Sequence, residues 1–161
     1  MKRLLIFGSL CAAALVLGIG SALAGSGNTT VSIKSVGGAG KILVDAKGRA
    51  LYSNDQERRG MVLCTGACLS FWKPLTVSGT PKGASLPGKL AVVKRPDGGR
   101  QVAYNGKLLY SFTLDKPGKV SGDGFKDAFG GQKFTWHVAH ANGVKSSSSK
   151  AATTPTYPAG Y

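Results

Sequence analysis

The stretch Val102-Ala-Tyr-Asn-Gly-Lys-Leu-Leu-Tyr-Ser-Phe-Thr-Leu-Asp115 decides the fold, because its pattern also occurs earlier in the chain. The earlier copy is Val44-Asp-Ala-Lys-Gly-Arg-Ala-Leu-Tyr-Ser53, in which Val, Gly, a basic residue, Leu, Tyr and Ser keep their order and spacing. The two copies are 58 positions apart, since 102 − 44 and 110 − 52 give the same difference. A repeat at a fixed spacing indicates that each copy is one structural unit.

Short apolar runs separated by turn residues predict antiparallel strands around both copies. The strongest turn is Asn105-Gly106, a pair that reverses a strand within two residues because both can take positive φ. The predicted strands are 41–45, 49–53, 90–94, 101–104, 108–112 and 133–139. No segment has a helical apolar period over a dozen residues, so the fold class is mostly β. We expect a small antiparallel sandwich or barrel built from two related hairpin repeats, with a short helical turn.

The segments between the strands differ in character. Cys64, Cys68 and Phe71 would share one face of a short helical turn that ends by Trp72, because their spacing is i, i+4 and i+7. Residues 115–132 contain five glycines and no sustained apolar period, which predicts a long loop.

The ends of the chain have the composition of targeting and linker segments. A basic start, an apolar run and a small-residue cleavage site at Ala24 predict a signal peptide, and the Ser- and Thr-rich C-terminus cannot form a core. The predicted organisation is a signal peptide at 1–24, a flexible Gly-rich linker at 25–40, a two-repeat β domain at 41–143 and a disordered tail at 144–161. Within the domain, repeat 1 covers about 41–88 and repeat 2 about 89–143. The linker contains one apolar alternation, Val31-Ser-Ile33, which could start an edge strand.

The N-terminal segment also bears on localisation. The apolar run is short for a membrane-spanning helix, which favours cleavage over a retained anchor. Cys11 lies within that run, and the preceding Gly8-Ser9-Leu10 does not match the sequence that directs lipid attachment. We therefore expect a periplasmic or secreted protein that is released rather than lipid-anchored, with no transmembrane segment after cleavage.

The charge balance is strongly basic. The chain has 21 basic and 7 acidic residues, a net charge of +14, and removing Lys2 and Arg3 with the signal peptide leaves 19 against 7. Such an excess attracts an anionic envelope component or an acidic protein. The basic residues are spread along the chain without a basic helix or an aromatic-basic motif, so specific nucleic-acid binding is not predicted.

The mature chain keeps two cysteines, Cys64 and Cys68. In an oxidising compartment, two thiols this close most often form a disulfide. An alternative is a copper site in which Met61, Cys64, Cys68 and His137 supply thioether, thiolate and imidazole ligands. A second alternative is redox exchange, and zinc is disfavoured because its structural sites usually need four ligands. The main prediction is a disulfide and no cofactor.

Tyrosine, tryptophan and one acid are the other candidate site residues. Tyr110 and Asp115 could hydrogen-bond each other or hold a ligand, although Tyr110 and Phe112 could equally point into the core while Asp115 starts a turn. Trp72 and Trp136 could form a stacking surface, but in a small β domain they are more often core residues. No nucleophile elbow, zinc-protease motif or phosphate loop occurs, so no catalytic residue is predicted.

Several motifs resemble those of a known family. They are Leu51-Tyr52, the Cys64/Cys68 pair with Trp72-Lys73-Pro74-Leu75, the segment from Asp97 to Gly106, Leu109-Tyr110 with Phe112 and Asp115, and Trp136. The sequence resembles the bacterial secreted-repeat lipoproteins marked by a Tyr-x4-Asp motif, whose function is unknown. The resemblance implies an exported two-repeat β domain and supplies no catalytic residues. In the first repeat, Glu57 stands where the motif has Asp, and Asn54 stands where it has an aromatic residue.

Together these observations predict an exported envelope binding protein with a basic surface and no catalytic activity. The alternative is a periplasmic copper-binding or electron-transfer accessory protein that uses the Cys64/Cys68 pair. A weaker third class is an enzyme acting through Tyr110 and Asp115.

Overall fold

The computed structural model describes residues 30–142. The predictions of a signal peptide at 1–24, of an unlipidated Cys11 and of a disordered tail at 144–161 lie outside the described residues.

Ten strands and one short helix form the described part of the chain. The strands are β1 (Val31–Val36), β2 (Gly40–Asp45), β3 (Leu51–Asn54), β4 (Trp72–Pro74), β5 (Leu90–Lys94), β6 (Arg100–Tyr104), β7 (Lys107–Leu108), β8 (Tyr110–Phe112), β9 (Lys126–Phe129) and β10 (Gln132–Val138). A 3-10 helix covers Gly66–Ser70, which confirms the predicted helical turn.

The strands pair antiparallel in three sheets. A five-stranded sheet has the order β4-β8-β3-β10-β9, and the other two have the orders β1-β2 and β5-β6-β7. The predicted mostly-β class is confirmed. Within residues 30–142 the arrangement is sandwich-like, and no sheet closes into a barrel.

The turn chemistry of the second copy is confirmed. Asn105 and Gly106 have φ values of 47° and 79°, and Tyr104 pairs with Lys107 across the turn. Positive φ at both central residues matches the twist of the flanking strands.

Three strands lie outside the predicted set. β1 begins at the Val31-Ser-Ile33 alternation, where the sequence indicated that an edge strand could start within the predicted linker, and it extends to Val36 and pairs along its whole length with β2. β9 lies within the predicted loop 115–132 and pairs with β10 across Gly130-Gly131. β4 directly follows the 3-10 helix and pairs with β8. β4 and β9 are short and depend on their pairing partners, because neither carries a sustained apolar alternation of its own.

The central sheet buries side chains on both of its faces. One face carries Tyr52, Tyr110, Trp72 and Trp136, which belong to a core that also contains the two cysteines. The other face carries Leu51, which packs in a second core with residues of the two smaller sheets: Val31, Leu43, Val102 and Tyr104. The candidate site residues of the sequence analysis therefore meet in the first core.

Candidate functional site

Two tyrosines face each other at the middle of the central sheet. Tyr52 on β3 pairs directly with Tyr110 on β8, and Leu51 pairs with Ser111. Each of these strands then pairs on its other side with a tryptophan strand: Trp136 faces Asn54, and Trp72 faces Phe112. The tryptophan strand from one half of the sequence thus lies beside the tyrosine strand from the other half.

The tyrosine hydroxyls reach carboxylates from the opposite half of the sequence. Tyr52 donates a hydrogen bond to Asp115, the fifth residue after Tyr110. Tyr110 donates to Glu57, the fifth residue after Tyr52, over 2.9 Å. We call these two contacts the crossed pairs. Each contact joins a tyrosine strand to the loop that follows the other tyrosine strand.

Glu57 is buried and fully engaged. Its Oε1 accepts hydrogen bonds from the backbone N–H of Leu63 at 2.7 Å and of Cys64 at 2.8 Å, in addition to the Tyr110 hydroxyl. Its Oε2 accepts from the side-chain amide of Asn54 at 2.9 Å. Four donors converge on one carboxylate, so Glu57 fixes the loop between β3 and the 3-10 helix.

Asp115 occupies the position in the second repeat that corresponds to Glu57 in the first. Its Oδ1 accepts from the backbone N–H of Ser121 at 3.0 Å and from the Ser121 hydroxyl. The N–H of Gly122 donates to the Tyr52 hydroxyl over 3.3 Å. A Cβ at Gly122 would lie 2.8 Å from the Trp72 ring and 3.1 Å from the Tyr52 ring, so only glycine fits there.

The two tryptophans stack on each other below the tyrosines. Their ring centroids are 3.9 Å apart with planes inclined by 9°. Both indole N–H groups donate to Asp127, from Trp72 at 2.7 Å and from Trp136 at 2.9 Å. Trp72 meets Tyr52 edge-on at 5.4 Å, and Trp136 meets Tyr110 in the same way at 5.2 Å. Both tryptophans are fully buried, as the core alternative expected.

Phe112 completes the aromatic stack on one side. Its ring lies 4.3 Å from that of Trp72 with planes inclined by 18°. The matching position in the first half is Asn54, which instead binds Glu57. The two halves therefore share a backbone plan but differ in this side chain.

Arg95 connects the Glu57 end of the site to the β5-β6 hairpin. It is buried, and its guanidinium donates to the carbonyl of Cys64 at 2.9 Å, to the side chain of Gln101 and to Asp97 at 3.0 Å. The pKa of the exposed Asp97 carboxyl is lowered, chiefly by the N–H of Gly99 and then by Arg95. Arg95 thus offsets the burial of its own charge with several oxygen acceptors.

Burial governs the ionisation of both tyrosines. It raises the pKa of Tyr52 and of Tyr110 well above the ordinary value, and the negative charges of Asp115 and Glu57 add to the effect. Both hydroxyls therefore stay protonated and act as hydrogen-bond donors, which is unsuited to a general base. Among the described residues, every buried side-chain nitrogen and oxygen has a hydrogen-bond partner. The cluster has the chemistry of a structural network.

This ionisation gives a pH prediction. The unfolded chain releases tyrosine protons near pH 10, whereas Tyr52 and Tyr110 keep theirs when folded. The contribution of these two tyrosines to stability is therefore constant below about pH 10 and falls as pH rises above it. An ultraviolet titration of tyrosinate should show both residues ionising only when the protein unfolds. Ionisation of all five tyrosines at ordinary pKa in a protein with native circular dichroism would contradict the burial argument.

The two cysteines form the predicted disulfide. Cys64 and Cys68 are fully buried, and their Cα atoms are 5.4 Å apart. Because the two sulfurs are bonded to each other, they could bind copper as thiolates only in the reduced protein. Met61 is exposed, and His137 contacts Asp55 through Nε2 at 2.9 Å. Within residues 30–142, no group of three His, Cys, Asp or Glu side chains is arranged to hold a metal ion.

Removing the disulfide should lower the free energy of unfolding by an amount at the lower end of the range for native disulfides. The Cys64→Ser/Cys68→Ser variant is expected to lose about 2 kcal/mol of unfolding free energy, because so short a loop restricts the unfolded chain only slightly. Urea denaturation of the variant beside the oxidised protein measures the difference. Complete failure to fold would show that the bridge contributes far more than loop closure.

Three residues central to the site escape sequence reasoning. Glu57 departs from the motif, which has Asp at that position, but it lies 58 residues before Asp115, the spacing of the repeat, and that spacing is a usable signal. Asp127 and Arg95 carried none, because their partners are remote in sequence. Asp115 does bind a tyrosine hydroxyl as suggested, but that of Tyr52; the Tyr110 hydroxyl donates to Glu57.

Comparison with known proteins gives one finding. A family model described as a secreted repeat of unknown function matches residues 91–140, which supports export of the chain. A search of curated proteins gives no match, and a search of solved structures gives none either. Within the described range, no helix is both long and apolar enough to cross a membrane.

Proposed function

We propose that this chain is an exported, non-catalytic binding protein of the cell envelope that contacts an anionic partner through its basic side chains. The observation that carries the proposal is the unequal exposure of the two signs of charge. Among the described basic residues, only Arg49, Arg95 and Lys107 are buried or half-buried, and the others are exposed.

The acidic side chains are occupied within the fold. Each accepts at least one hydrogen bond from the protein itself, and the side chains of Asp55 and Asp97 are about half exposed. The acidic residues and their partners are Asp45 with Arg49, Asp55 with His137, Glu57 with Tyr110, Asp97 with Arg95, Asp115 with Tyr52, Asp123 with the N–H of Val138, and Asp127 with both indoles. Few carboxylates remain to neutralise the exposed cations, which favours attraction of anions.

The saturated cluster supports the non-catalytic part of the proposal. A reactive site needs a polar group that can accept or release a proton toward a substrate, and the hydroxyls and carboxylates of the crossed pairs already bond each other. The description of the matching family as a secreted repeat of unknown function agrees with this interpretation.

Salt dependence of binding tests the proposal. The purified chain would be titrated with linear polyphosphate and with neutral dextran over a range of salt concentrations. We expect the protein to bind polyphosphate and not dextran. Its affinity for polyphosphate should fall steeply as the salt concentration rises, because salt screens exposed charges. Equal affinity for both polymers, or an affinity for polyphosphate that does not change with salt, would contradict the proposal.

Three measurements on variants separate the alternatives: polyphosphate binding, bound copper and turnover. Binding that survives Cys64→Ser favours the electrostatic mechanism, whereas bound copper that is lost in Cys64→Ser favours a site made from Met61, Cys64, Cys68 and His137. An enzyme acting through Tyr110 and Asp115 would require a turnover that Asp115→Asn abolishes in a folded protein.

A further inference from the structure

The loops that follow the two tyrosine strands are matched tight turns. The N–H of Met61 donates to the carbonyl of Arg58 at 3.0 Å, and the N–H of Lys119 donates to that of Lys116 at 2.9 Å. Gly60 and Gly118 take the third position of each turn at φ values of 78° and 80°, and Arg59 in the first turn also has a positive φ, of 54°. Each turn begins directly after a carboxylate of the crossed pairs, so the buried network holds both turns in place.

The two turns lie at opposite ends of the central sheet. β3 and β8 are antiparallel with Tyr52 opposite Tyr110, so the chain leaves the two strands in opposite directions. The first turn follows β3 and the second follows β8.

Further cations gather at the first turn. The Arg58 Nε donates to the carbonyl of Asp55 at 2.9 Å, and the Lys107 ammonium lies 3.5 Å from the carbonyl of Asn54, the adjacent residue. A Cβ at Gly60 would lie 3.7 Å from the Val93 side chain, so strand β5 packs beside this turn. We call Arg58, Arg59 and Lys107 the first cationic end.

The second turn gathers cations in the same way. Lys116 and Lys119 are exposed, and a Cβ at Gly48 would lie 3.8 Å from the Cβ of Pro117 between them. Exposed Lys47 precedes Gly48 in the β2-β3 connection. We call Lys47, Lys116 and Lys119 the second cationic end.

The acidic groups beside each end are already paired. Asp55 contacts His137 near the first end, and Asp45 forms an ion pair with Arg49 at 2.7 Å near the second. These partners reduce the repulsion that either carboxylate would exert on an incoming anion.

We infer that the protein is bivalent and bridges two segments of a linear polyanion, one at each cationic end. The inference rests on the proposed function and adds its stoichiometry and geometry. A linear polymer that carries phosphate or carboxylate groups along its length can supply one anionic segment to each of the two separate ends. Two linked sites would also raise avidity for a long chain beyond that of either end alone.

Calorimetry with a short linear polyphosphate of defined length tests this inference. The wild-type chain should bind two molecules per protein, and a long polyphosphate should produce cross-linked assemblies that dissolve in excess polymer. Arg58→Gln/Arg59→Asn and Lys116→Gln/Lys119→Gln should each reduce the stoichiometry to one and abolish cross-linking. Asn is used at position 59 because φ there is 54°, a conformation that Asn tolerates.

Lys82→Gln/Lys89→Gln is the matched control, since it removes the same charge from exposed positions outside both ends. It should keep a stoichiometry of two. One site per wild-type chain, or equal effects of all three variants, would overturn the bivalent inference while leaving the proposed function intact. Absence of salt-sensitive binding by the wild type would overturn the proposed function itself.

Discussion

Replacing Trp72 by alanine is expected to lower the free energy of unfolding by about 4 kcal/mol. The indole is fully buried and stacks against both Trp136 and Phe112, so its removal leaves a large cavity between aromatic rings. It also takes from Asp127 one of the two indole donors. Urea denaturation followed by far-ultraviolet circular dichroism would measure the loss.

Two further variants divide this effect into its parts. Trp72→Phe keeps an aromatic ring but removes the N–H donor to Asp127, so it should cost clearly less than alanine. Trp136→Phe removes the other donor to the same carboxylate and should have a similar cost. If Trp72→Ala cost no more than Trp72→Phe, stacking would not be the main contribution of this side chain.

Replacing Glu57 by glutamine is expected to cost about 3 kcal/mol, although the two side chains have the same shape. Oε1 and Oε2 both act as acceptors, so one of them must become an NH₂ group that faces a donor. An NH₂ group at the Oε2 position would face the NH₂ group of Asn54, so two donors would meet. Asn54 cannot turn its oxygen toward the new group without losing the hydrogen bond that this oxygen accepts from the N–H of residue 57 at 2.8 Å. Placing it at Oε1 opposes Tyr110 and two backbone N–H groups.

Arg58→Gln is the control for this substitution, because it changes the adjacent exposed residue and should shift stability by less than about 0.5 kcal/mol. A double-mutant cycle with Tyr110→Phe measures the crossed contact itself. We expect the two substitutions to be clearly non-additive, since they share one hydrogen bond. Additive costs would mean that the Tyr110–Glu57 contact contributes nothing to stability.

The strands were predictable where turn chemistry surrounded an apolar run. Asn105-Gly106 located one strand reversal, and the close cysteine spacing indicated both the bridge and the helical turn. The strands that escaped prediction are short or polar, such as β9 with its Lys126 and Asp127, and they depend on partners that are distant in sequence. The local sequence pattern cannot identify those distant partners.

Five members of the site were predictable from the sequence, but Glu57, Asp127, Arg95 and the connections between the residues were not. Tyr52, Tyr110, Asp115, Trp72 and Trp136 all meet in one core, yet the tyrosines bond to carboxylates of the opposite half. The exchange follows from the antiparallel pairing of β3 with β8, which places each strand beside the loop that follows the other. A sequence read along one copy at a time suggests only contacts within that copy.

The central claim is that the crossed pairs stabilise the fold while exposed cations bind the partner. The most direct test is the polyphosphate affinity of the Tyr52→Phe/Tyr110→Phe variant, measured at low salt on protein shown to be folded by circular dichroism. We predict a lower unfolding free energy and an affinity within about twofold of the wild type, because no exposed charge is altered. A loss of more than about tenfold, equivalent to 1.4 kcal/mol, in a variant with native structure would show instead that the tyrosine cluster is itself the binding site.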